Sequence, residues 1–131
     1  MQQAQILGVI AFSGALGALA RYASVLAATQ LWGDRFPYGT LLVNVLGCLV
    51  MGVAYAALPG PKEPTPAALW LRYGLMVGFL GAYTTFSAFS LENFKLMQQG
   101  EAHWALINAL ASVALCLAAV WAGVRLGDAI F

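Results

Sequence analysis

The stretch GFLGAYTTFSAFSLE, residues 78–92, sets two glycines, four aliphatic hydroxyls and the pair Phe86 and Phe89 into the middle of an apolar run. Gly78, Gly81 and the β-branched Thr84 and Thr85 are poor support for an uninterrupted helix. An interruption frees backbone carbonyls that lipid cannot satisfy, so it persists only where protein, ions or water cover it. Past the threonines, Phe86 and Phe89 share a helix face at i and i+3, with Ser87 and Ser90 beside them. The fold therefore turns on whether this segment crosses a membrane.

Its surroundings answer that. The chain has 131 residues, 62% of them hydrophobic and 8% charged, far from the makeup of a soluble domain. A span needs ~20 apolar residues. Apolar blocks at 6–31, 40–58, 67–97 and 104–126 meet that length and predict one all-α integral membrane domain over 1–131, with four transmembrane helices and the third broken mid-membrane. WGDRFPYG (32–39), the four-proline segment PGPKEPTP (59–66) and QQGEAH (98–103) read as loops. Trp32, Trp70, Trp104 and Trp121 fall near the expected span ends, where an amphipathic ring prefers the headgroup level. The opening MQQAQ lacks the basic region of a signal peptide, so the first block reads as part of the fold.

Composition also excludes function classes. With a net charge of +1 and no basic run, the chain has no surface for nucleic acid. Cys48 and Cys116 lie in different spans without metal-ligand spacing and read as packing residues. His103, the one histidine, reads as an interfacial side chain beside Trp104, and no nucleophile has a general-base partner, so an enzyme is not expected. Lysine and arginine are nearly balanced across the two sides, which leaves two readings open: one orientation set by other features, or insertion both ways with antiparallel pairing.

Polar groups inside spans should face another helix, a second subunit or a water-filled path. Gly14, Gly17, Ala18 and Arg21 form a small-residue stripe ending in a charge, read mainly as close helix packing. Thr40, Asn44, Gly47 and Met51 lie on one face of the second helix, and Asn108 and Ser112 on one face of the last. These amides and hydroxyls make either structural glue or a polar track. Carbonyls freed by the helix break suit a bare monovalent cation, and phenyl ring edges carry partial positive charge that holds a small anion weakly.

SGALGALARY (13–22), GTLLVNVLG (39–47) and GFLGAYTTFSAFSLE together resemble the three signature segments of the Fluc, or CrcB, fluoride channels, and the resemblance covers the whole chain. One departure is Ser13, where family members often carry a glycine. The resemblance implies an antiparallel, dual-topology homodimer in the bacterial inner membrane, with two fluoride pores at the subunit interface and a central structural sodium ion. Carried over by position, it implies a pore lined by Asn44, Phe86, Phe89, Asn108 and Ser112, and sodium held by the backbone carbonyls of Gly81 and Thr84. Arg21, Thr40, Thr85, Ser87 and Glu92 take supporting polar roles. The function implied is passive, selective fluoride export giving fluoride resistance.

A small proton-coupled exporter of the four-helix, dual-topology type is the alternative. Proton coupling wants an acid deep in the membrane. The first two spans contain no Asp or Glu, and Glu92 lies toward the end of the third. A third reading, a non-transporting assembly protein, makes the polar residues glue alone.

Overall fold

The computed structural model describes residues 2–58 and 65–131, and most of the loop expected at 59–66 lies outside the described residues. Helix α1 is Gln3–Trp32, opened by the Gln2 amide N–H donating to Gln5 Oε1 at 3.0 Å and closed at Gly33, whose φ of 80° suits a residue without Cβ. Helix α2, Tyr38–Ala56, starts directly after Pro37. Helix α3, residues 66–83, is capped by the Thr65 hydroxyl, which accepts from Ala68 N–H at 3.1 Å, and has Pro66 at its first position, where a missing N–H costs nothing. From Trp70 to Leu80 it is π-helical, a rare form, and the Gly81 N–H reaches back to the Met76 carbonyl.

The helical path stops after Tyr83. Thr84 (φ −83°, ψ 159°) and Thr85 (φ −154°, ψ 122°) are extended, and α4 runs from Phe86 to Gln98. Gly78 and Gly81, read from sequence as part of the weak point, stay helical. A turn with Gly100 at φ 78° leads into α5, Ala102–Ile130. Trp121 lies nine residues before the end of α5.

All regular structure among the described residues is helical, and four stretches are long and apolar enough to cross a membrane: Gln3–Trp32, Tyr38–Ala56, Pro66–Gln98 and Ala102–Ile130. Their packing relies on small residues, because lipid offers no hydrophobic drive between helices and close backbone approach must supply the attraction. Helices α2 and α5 run parallel in tight contact. A Cβ added at Gly52 would meet the Val120 carbonyl, and one at Gly123 the Leu49 carbonyl. Helix α1 crosses α3 the same way, Gly17 against the Phe79 carbonyl and Ser13 against Gly78. Ser13 fills this crossing with its hydroxyl turned back to the Val9 carbonyl at 2.6 Å. Few large side chains are fully enclosed; Val43, Leu80 and Asn108 are, while Phe12, Leu19, Trp121 and many others face outward as lipid-exposed residues do.

Candidate functional site: two grooves around an interrupted helix

The site is built on the two extended residues. In an unbroken helix the Thr85 N–H would donate to the Gly81 carbonyl. Here it donates to Asn44 Oδ1 at 2.7 Å, and the Asn44 amide nitrogen donates in return to the Thr85 carbonyl at 3.0 Å. One side chain on α2 therefore satisfies both backbone groups of a buried residue outside any helix, which in lipid removes a cost of several kcal/mol. Gly47 makes room for the break, since a Cβ there would strike the Thr84 methyl. The threonines finish the local accounting. Thr84 Oγ1 donates to the Leu80 carbonyl at 3.0 Å, and Thr85 Oγ1 caps α4 by accepting from Ala88 N–H at 3.2 Å.

On one side of this segment lies a groove of about 300 Å³. Asn44, Thr84, Thr85, Phe86, Phe89 and Ser112 line it, with Cys48, Met51 and Cys116 farther along α2 and α5. Both thiols are free and face the groove. Phe86 is 78% exposed, and its ring centre stands 5.3 Å from that of Phe89 with the planes tilted by 42°. The groove is mostly apolar, with the amide of Asn44 and the hydroxyls of Thr84, Thr85 and Ser112 as its hydrogen-bonding side chains. Such a surface offers donors without a fixed cation.

On the other side, a second groove of about 490 Å³ gathers Arg21, Thr40, Thr85, Ser87 and Glu92. Thr40 Oγ1 donates to Glu92 Oε1 at 2.6 Å, and Glu92 Oε2 is buried without a partner. Arg21 reaches inward, its guanidinium 3.5 Å from the Thr84 carbonyl. Thr85 lines both grooves, so the extended segment is a wall between them.

Of the residues singled out from sequence, Asn44, Phe86, Phe89 and Ser112 converge on the first groove, and the five supporting residues on the second. Asn108 does not line either one. It is 1% exposed and turns its amide to Asn93 on α4, Nδ2 to Oδ1 at 3.2 Å, while Ser112 Oγ donates to Asn108 Oδ1 at 3.4 Å. Asn93 was missed because it reads as an ordinary polar residue in the last turns of a span; its spacing of four from Phe89 was the available signal. Gly81 is exposed at the foot of the break, and no backbone N–H one turn on takes its carbonyl, since Thr85 is committed to Asn44.

Fold and grooves together define a small multi-pass helical membrane protein whose polar groups converge on one broken helix. The chain belongs to the CrcB-like family: residues 8–124 match the family described as CrcB-like protein, Camphor Resistance (CrcB). It is similar to three proteins each named fluoride-specific ion channel FluC. The one from Geobacter sulfurreducens is 49% identical over 88% of this chain and 90% of its own length. Those from Aliivibrio salmonicida (47%, covering 96% and 98%) and Vibrio parahaemolyticus (45%, covering 96% and 97%) align almost end to end.

Proposed function

We propose that this protein is a passive, fluoride-selective channel that lets cytoplasmic fluoride leave the cell and so confers fluoride resistance. The observation that carries the reading is the Asn44 clamp on Thr85, which sets Phe86, Phe89 and Ser112 around one groove. The names of its relatives supply the ion.

The residues divide the work. Asn44 spends one N–H and its oxygen on Thr85, and an amide nitrogen has a second N–H for a passing anion. Ser112 offers a hydroxyl, and Phe86 and Phe89 offer positive ring edges, which hold an anion weakly enough to release it. Asn108 acts from behind the wall, through Ser112. Fluoride enters cells as neutral hydrofluoric acid and is trapped as the anion; an interior-negative potential then favours exit by about 2.3 kcal/mol per 100 mV. No fuel is needed.

The assembly belongs to the proposal as well. The first groove opens at the surface of the subunit, and Phe86 stands exposed on its rim. An antiparallel, dual-topology homodimer in the inner membrane closes it, gives two pores, and places the helix interruption at mid-membrane. A structural sodium ion fits the backbone at the break: the Gly81 carbonyl is released from helical bonding, and the Thr84 carbonyl carries only one long contact, to Arg21. The carbonyls of Gly81 and Thr84 are the groups that would hold such an ion, and its fixed positive charge would offset their partial negative charges.

Reconstitution into liposomes loaded with fluoride tests the function. Electrogenic efflux on adding valinomycin, read with a fluoride electrode and with chloride retained, is the expected result. Equal chloride efflux, tight vesicles, or efflux that demands a pH gradient, as in the proton-coupled exporter, overturns it.

A further inference from the structure

We infer that Asn93 is a positioning residue for conduction, setting the direction of a hydrogen-bond chain that ends on Ser112; this rests on Ser112 lying in the fluoride path.

The chain runs through four residues on two helices. Asn93 Nδ2 donates to the Phe89 carbonyl at 3.0 Å, Asn108 Nδ2 donates to Asn93 Oδ1 at 3.2 Å, and Ser112 Oγ donates to Asn108 Oδ1 at 3.4 Å. Its polarity follows from one end. A backbone carbonyl can only accept, so Asn93 must turn its NH₂ toward Phe89 and its oxygen toward α5. Asn108 must then present NH₂ to that oxygen, which leaves Asn108 Oδ1 facing Ser112. Only a donated proton from the Ser112 hydroxyl completes the chain.

Two consequences concern the ion. Asn108 is 1% exposed, so its amide keeps this orientation only while Asn93 holds it; without Asn93 the amide is free to flip and offer an N–H to Ser112. In the intact chain the Ser112 proton is parked on a 3.4 Å contact, longer than an ordinary O–H···O bond and cheap to give up. A fluoride arriving in the groove takes that proton by rotation of the hydroxyl alone. With the amide flipped, the Ser112 oxygen accepts from Asn108 and its proton rests elsewhere.

The test is a double-mutant cycle on fluoride efflux from liposomes, using the full chain and checking each variant by size-exclusion chromatography. Asn93→Leu is expected to slow efflux by about tenfold, the scale of one lost polar contact. Ser112→Ala is expected to slow it comparably, and Asn93→Leu added to Ser112→Ala to cost nothing further. A merely structural Asn93 predicts the same loss in both backgrounds, and that additivity overturns the inference. If Ser112→Ala leaves efflux unchanged, the placing of Ser112 in the path falls, and this inference with it. Should Asn93→Leu not yield folded protein, Asn93→Ala, which adds no bulk, is read the same way. Failure of both to fold makes Asn93 a folding residue and also overturns the inference.

Discussion

Asn44 shows how one side chain makes an otherwise forbidden backbone tolerable. Its two bonds, at 2.7 and 3.0 Å, replace the helical partners that Thr85 lacks. Asn44→Ala leaves a buried N–H and C=O unpaired, at about 1–3 kcal/mol each. The expected outcome is a clear drop in thermal stability in detergent together with loss of fluoride efflux; loss of efflux at unchanged stability would mean that Asn44 meets only the ion. Thr40 and Glu92 make a second residue-scale case, on the other groove. Thr40→Val removes the 2.6 Å donor from a carboxylate whose remaining oxygen is already unpartnered, so it should cost about 1–3 kcal/mol alone and much less in a Glu92→Leu background. Equal cost in both backgrounds would show that the hydroxyl matters through some other neighbour. Asn44 was legible in the sequence because a mid-span amide demands a partner. That its partner is the Thr85 backbone was not, since the bond joins residues 41 apart.

At the scale of helices, hydropathy made the four long apolar stretches readable, because the bilayer imposes one length on every segment that crosses it. The exact seat of the interruption was less readable. Gly78 and Gly81 are weak helix formers in isolation, yet Gly78 stays helical because its bare backbone is what lets Ser13 on α1 approach. Packing overrode propensity there. Thr84 and Thr85 yield instead, since their hydroxyls bond locally and Asn44 takes the exposed amide. The π-helical turns of α3 had no signature in composition at all. The same crossings yield a prediction: Gly123→Ala drives a methyl into the Leu49 carbonyl, and Gly17→Ala one into the Phe79 carbonyl, contacts that backbone cannot vacate. Each is expected to lose about 1–3 kcal/mol or more of stability, visible as a lower melting temperature or as loss of monodisperse protein. Gly8→Ala, with open space around the new methyl, should leave both unchanged. Indistinguishable melting of all three would remove close packing as the basis of these crossings.

For the whole molecule, charge placement matters more than charge number. Four crossings put both chain ends on one side, where Lys62 of the Pro-rich segment, Arg72 near the start of α3 and Arg125 near the end of α5 also lie. Arg35 in the first loop and Lys95 in the last turn of α4 lie on the other. Three against two is a near balance that gives the insertion machinery little preference for a side, since orientation follows the excess of Lys and Arg near span ends. Arg21 adds to neither side, because it is spent inside the fold on the Thr84 carbonyl. The antiparallel dimer proposed above needs both orientations in supply, and the near balance of charge is compatible with that. Single-cysteine variants measure it: Asp128→Cys near the end of α5 and Asp34→Cys in the first loop, both exposed and both with Cys48 and Cys116 replaced by alanine. A membrane-impermeant maleimide applied to intact cells should label roughly half of each variant, because a chain with little positive-charge bias inserts both ways. Full labelling of one variant and none of the other would establish a single orientation, and the antiparallel assembly proposed above would then have no second half.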